Sequence, residues 1–126
     1  MRTRRSILIV EDEFGLAEML RDMLSELEYE VALAINGRLA LDVLRERSID
    51  LVITDLMMPV MDGLEFAAAM RNSDTHRRIP IVMMTSLPTV LPTQKHFFDA
   101  IIRKPFTPEM LLRTIEECWP ASRQGV

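Results

Sequence analysis

Two rhythms of apolar residues alternate along this chain. Short β-rich apolar runs recur at residues 7–10, 31–35, 51–54, 81–84 and 100–102, with longer segments between them. That is the βα alternation of a layered fold built on a parallel sheet. The first and third runs are almost purely apolar, as expected of strands covered by helices on both faces, and each crossover between parallel strands is then right-handed.

The intervening segments carry the helical rhythm. Leu16, Met19, Leu20, Met23, Leu24 and Leu27 follow the i, i+3, i+4 rule and form one stripe of a helix. A second helix is predicted over 38–47, presenting Ala40, Val43 and Leu44. A third follows Gly63, with Leu64, Ala67 and Met70 inward. The last helix begins after Thr107, an N-cap with Pro108 at the first helical position, carries Leu111, Ile115, Cys118 and Trp119 on one side, and stops at Pro120. Pro88 and Pro92 stand where a fourth helix would begin, so the helix between strands four and five is expected to be short or irregular. The reading is a single domain over 1–126, with a core of about 6–119 and a loose tail at 120–126.

Composition narrows the function. The 126 residues are 48% hydrophobic, enough for one sizeable core. A formal charge of -4 disfavours a direct nucleic-acid or anionic-lipid surface, because such partners attract clustered Lys and Arg. One cysteine leaves no internal disulfide, and no apolar run approaches the length of a membrane span. A cytoplasmic location follows from this reading. His76 and His96 lie in polar segments without a Cys/His set at zinc spacing, and are expected to be solvated.

In doubly wound folds, polar residues just after the carboxyl ends of the strands line the ligand crevice. Here those residues are Glu11 and Asp12 after strand one, Asp55 at the end of strand three, Thr85 and Ser86 after strand four, and Lys104 after strand five. Each alone has an ordinary structural explanation, such as a favourable charge near a helix N-terminus. Their joint placement at one sheet edge does not. Three carboxylates suit a hard divalent cation such as Mg²⁺, and a carboxylate beside such an ion is a nucleophile toward phosphorus. An ammonium and a hydroxyl then match the phosphoryl oxygens of the transition state.

The stretches V-E-D-E at 10–13, D-L-M-M-P-V-M-D-G at 55–63, T-S at 85–86 and K-P-F at 104–106 together resemble the response-regulator receiver domains. The resemblance spans nearly the whole chain. It implies a flavodoxin-like α/β fold with a five-stranded parallel sheet in the order 2-1-3-4-5. It also implies Mg²⁺-dependent phosphoryl transfer from a histidine kinase or histidine phosphotransfer protein, switching contacts with a downstream protein. Within that pattern Asp55 is the phosphoacceptor, Thr85 and Lys104 contact the phosphoryl group, Asp12 binds Mg²⁺ directly, Glu11 contributes through water, and Met57 offers its backbone carbonyl. The Lys104–Pro105 bond is expected to be cis.

Some positions depart from the family pattern. Ile101 stands where receivers usually carry Tyr or Phe, so the aromatic rotamer switch is missing, and signalling is expected through the loop at 86–94. Ser86 replaces the usual Ala or Gly. Phe97 and Phe98 are read as one buried and one partly exposed core residue. The competing classes are a pseudo-receiver, which would bind partners without phosphotransfer, and a small Mg²⁺-dependent aspartyl phosphatase. The second lacks its general acid, because Met57 occupies the place of the second Asp. The chain is therefore expected to be a signalling module acting by protein contact, not an enzyme with an external substrate.

Overall fold

The computed structural model describes residues 4–88 and 95–119. Strands β1 (Ser6–Val10), β2 (Glu30–Ala34), β3 (Leu51–Asp55), β4 (Ile81–Thr85) and β5 (Ala100–Arg103) form one parallel sheet in the order β2-β1-β3-β4-β5. Among the described residues four helices accompany it: α1 (Phe14–Glu26), α2 (Gly37–Glu46), α3 (Gly63–Arg71) and α4 (Pro108–Cys118). Fold class and strand order are those expected. The predicted irregular helix between β4 and β5, and most of the proposed switch loop, fall on residues 89–94, outside the described residues.

Alternation along the strands splits the core into two layers. Leu8, Val10, Val52, Ile81 and Met83 pack with Ala40, Leu44, Phe66, Ala67 and Met70 of α2 and α3. Ile7, Ile9, Leu51, Ile53, Val82 and Met84 pack on the other face with Leu20, Leu24, Leu111 and Ile115 of α1 and α4. Both faces of β1, β3 and β4 are thus dry, which is why those strands read as unbroken apolar runs. No helix among the described residues is long and apolar enough to cross a membrane.

Local chemistry sets the helix starts. Helix α1 begins two residues before the predicted stripe, because the Glu13 carboxylate accepts from the N–H groups of Gly15 and Leu16. Asn36 caps α2 through Leu39 N–H, and Thr107 caps α4 through Met110 N–H. Asp62 and Glu65 form a reciprocal capping box at α3. The expectation of a solvated side chain needs correction for His76. His76 is half-buried, with Nε2 against the Leu44 carbonyl at 3.1 Å and Nδ1 against Ser73 Oγ at 3.3 Å, so it ties α2 to the α3–β4 connection. His96 is exposed and stacks on Phe97. Phe98 is buried and Phe97 half-buried, as read from the sequence.

Candidate functional site

Sheet register alone gathers the polar residues. Val10 pairs with Thr54, so Glu11 emerges beside Asp55. Asp55 pairs with Met84, so Thr85 stands one step further out on the next strand. Thr85 pairs with Arg103, which sets Lys104 at the same edge, and Lys104 N–H donates to the Thr85 carbonyl at 2.8 Å.

Glu11 and Asp55 are buried while Asp12 is exposed, yet one carboxylate oxygen from each lies within 4.8 Å of the others. Lys104 Nζ joins this group, 3.2 Å from Glu11 Oε1 and 3.3 Å from Asp55 Oδ2. Glu11 Oε2 accepts from Glu13 N–H at 3.0 Å, and Asp55 Oδ1 from Leu56 N–H at 2.9 Å. Burial raises the Glu11 pKa, helped by the Asp55 charge and opposed by the Glu13 N–H and Lys104. For Lys104, burial works against the charged form, but the charges of Asp55 and Glu11 overcome it and the pKa is raised. Three carboxylates face one ammonium, so two negative charges are left unbalanced, and every donor is oxygen. That donor set fits a hard divalent ion such as Mg²⁺ and not a thiophilic one.

Thr85 is buried, and its Oγ1 accepts from Leu87 N–H at 3.0 Å. Its own hydroxyl proton is therefore available to another acceptor. Met57 lies in the β3–α3 loop with its side chain exposed, Ser86 is exposed, and Ile101 is half-buried against the α2–α3 layer. The Lys104–Pro105 bond is cis.

Two glycines that carried no role in the sequence reading shape the loop behind Asp55. A Cβ on Gly63 would lie 2.2 Å from the Asp55 carbonyl oxygen, and Gly63 N–H donates to the Leu56 carbonyl at 2.9 Å. A Cβ on Gly37 would lie 2.8 Å from side-chain carbons of Met61 and Phe66, and Gly37 N–H donates to the Met61 carbonyl at 3.0 Å. In the sequence Gly63 closes the 55–63 motif and precedes the third helix, and neither position announces a backbone approach.

A family model described as the response regulator receiver domain matches residues 7–116. The DNA-binding response regulator MtrA of Mycobacterium tuberculosis is 35% identical over 116 residues, covering 89% of this chain and 49% of MtrA. The chain spans about half the length of the curated relatives it matches. Among solved structures, the chemotaxis response regulator CheY4 of Vibrio cholerae has a TM-score of 0.83 at 33% identity, covering 92% of this chain and 99% of that one. The response regulator TrrA of Thermotoga maritima, solved in complex with Mg²⁺-BeF, has a TM-score of 0.82 at 30% identity, covering 90% and 98%. MtrA is DNA-binding, so the sequence argument against nucleic acid concerns only the charge of this chain and says nothing of a longer protein.

Proposed function

Because this chain belongs to the family of response-regulator receiver domains, we propose that it takes a phosphoryl group from a phosphohistidine onto Asp55. The observation that carries this reading is Lys104 Nζ set between Glu11 and Asp55 inside a three-carboxylate cluster. In the transfer, an Asp55 carboxylate oxygen forms a bond to phosphorus as the phosphorus–nitrogen bond of the donor breaks, and the imidazole leaves with the electron pair and takes a proton from solvent. The Leu56 N–H holds one carboxylate oxygen and so fixes the plane of the attacking group. As negative charge moves outward onto the phosphoryl oxygens, the Lys104 ammonium can follow it from the carboxylate. Thr85 donates its free hydroxyl proton to one of those oxygens, while Leu87 N–H keeps the hydroxyl oriented.

Asp12, Asp55 and the Met57 carbonyl would hold Mg²⁺. Glu11 would act through water, which its two oxygens, both engaged by Lys104 and Glu13, support. When bound, the ion supplies the positive charge that offsets the carboxylates and the incoming phosphoryl oxygens. The donor is a histidine kinase or histidine phosphotransfer protein, the output a contact with a downstream protein, and the setting cytoplasmic.

Acetyl phosphate with Mg²⁺ tests this directly. Wild-type protein is expected to gain one phosphoryl group by mass spectrometry, and Asp55→Asn none, because the amide lacks the nucleophilic charge. An unmodified wild type would favour the pseudo-receiver, and equal labelling of Asp55→Asn at the same site would remove Asp55 from its role.

A further inference from the structure

Thr54 puts a hydroxyl where packing asks for none. It is fully buried in β3, paired with Val10 of β1 on one side and Met83 of β4 on the other. Alternation along the strand turns it to the same face as Val52, the face that packs with apolar side chains of α2 and α3. Valine has the same branched outline and would bury there without a polar atom, whereas a buried hydroxyl costs stability unless it is hydrogen-bonded. Thr54 Oγ1 meets that need by donating to the Asp55 carbonyl at 2.9 Å. A bond spanning one residue ties no distant parts of the fold together, so its effect is local.

That effect falls on the peptide group between Asp55 and Leu56. The group is planar, so its carbonyl and its N–H move as one unit. At the carbonyl end it is held by the Thr54 hydroxyl and backed by Gly63, whose added Cβ would lie 2.2 Å from the oxygen. At the other end the Leu56 N–H faces two acceptors, Asp55 Oδ1 at 2.9 Å and the Met84 carbonyl at 3.1 Å. A tilt of the plane trades one acceptor for the other. The carboxylate has a broad, two-fold terminal torsion and no staggered well to fix its own plane. Lys104 meets Oδ2 from the end of a flexible side chain, which leaves the Leu56 N–H as the rigid contact.

We infer that Thr54 is a positioning residue for phosphoryl transfer: its hydroxyl sets the tilt of the 55–56 peptide group and, through the Leu56 N–H, the plane of the Asp55 carboxylate. This role rests on the proposed phosphoacceptor function of Asp55. A hydrogen bond on the carbonyl also polarises the amide, which strengthens its N–H as a donor to the charged oxygen. Without the hydroxyl the N–H swings toward the Met84 carbonyl, the carboxylate turns more freely, and fewer of its orientations line up with the phosphorus. Fully buried, Thr54 cannot meet the phosphoryl donor itself.

The test takes wild type, Thr54→Val, Thr54→Ala and Thr54→Ser through acetyl phosphate labelling at saturating Mg²⁺, with the urea midpoint of each measured alongside. Thr54→Val and Thr54→Ala lack the hydroxyl, and each should label about tenfold more slowly than wild type where it is fully folded. Thr54→Ser loses the methyl but keeps the hydroxyl, and should restore most of the rate. In proton NMR spectra without Mg²⁺ or donor, the Leu56 amide should move upfield in Thr54→Val and Thr54→Ala and stay near its wild-type position in Thr54→Ser, since a weaker hydrogen bond shields the proton. Rates that follow side-chain volume instead of the hydroxyl, wild-type labelling by Thr54→Val, or a Leu56 amide that ignores loss of the hydroxyl would each overturn the positioning role. Failure of wild type to label while the Leu56 amide still responds strikes the Asp55 reading instead, and so is told apart.

Discussion

Val60 and Cys118 show how a single residue can run against its surroundings. A valine held at φ 70° with most of its side chain in solvent carries a backbone cost without packing in return. Val60→Asn is therefore expected to raise the stability of the domain by about 0.5–1 kcal/mol, read from the urea midpoint at an unchanged slope. An unchanged or lower midpoint would mean that the valine is held by something other than its backbone. Cys118 departs in its titration. Burial first, then the charges of Asp99 and Glu117, push the thiol from 9.0 up to about 11. The folded state thus keeps the proton where the unfolded chain releases it. This contribution to stability is whole below the lower of those values and is lost as pH rises through the upper one. At about pH 8 the native protein should hold about a hundredfold less thiolate than an ordinary thiol, so iodoacetamide should modify it correspondingly slowly until denaturant is added. Fast alkylation of the native protein would contradict the burial argument.

At the scale of the element, the β3–α3 loop decides most. Asp62 and Glu65 cap α3 reciprocally, Gly63 lets the first turn of that helix lie against the Asp55 carbonyl, and Gly37 lets α2 approach the same loop. Gly63→Ala is expected to cost about 2 kcal/mol or more, since a Cβ 2.2 Å from a backbone oxygen can be accommodated only by moving the strand end that carries Asp55. The same variant should lose acetyl phosphate labelling out of proportion to its stability, measured where it is still fully folded. Labelling at the wild-type rate would show that the helix can retreat without disturbing the aspartate. Arg71, the last residue of α3, plays the complementary part at the other end. Its guanidinium donates to the carbonyls of Phe97, Arg77 and Ile79 and pairs with Asp99 at 2.8 Å, fixing both connections that flank β4. No sequence period announces such a clamp.

For the whole molecule, the sheet order places every strand end of the site on one edge, with two negative charges unbalanced there. Mg²⁺ that binds the native state and not the unfolded chain should raise the thermal midpoint as its concentration passes the dissociation constant, the gain in unfolding free energy reaching about 2.7 kcal/mol at a hundredfold excess. Asp12→Asn should blunt that rise while leaving the midpoint without Mg²⁺ nearly unchanged, because Asp12 is exposed. A rise of equal size in the variant would remove Asp12 from the ligand set.

The five strands, the four helices among the described residues and the carboxyl-edge positions of Glu11, Asp12, Asp55, Thr85 and Lys104 were determined by the order of residues alone, because periodicity and strand-end position are local properties. Strand bounds differ by no more than a residue or so, where a polar residue such as Ser6 or Asp55 extends the ladder past the apolar run. What tertiary structure decided depends on distance between segments far apart in the chain. Lys104 meets Glu11 across 93 residues, and His76 meets the Leu44 carbonyl across 32. The roles of Gly37 and Gly63 depend on which backbone comes within reach of a missing Cβ. Hydrophobic rhythm selects elements and the faces they bury. Only packing brings those faces to fixed separations, and the chemistry of the site depends on the separations.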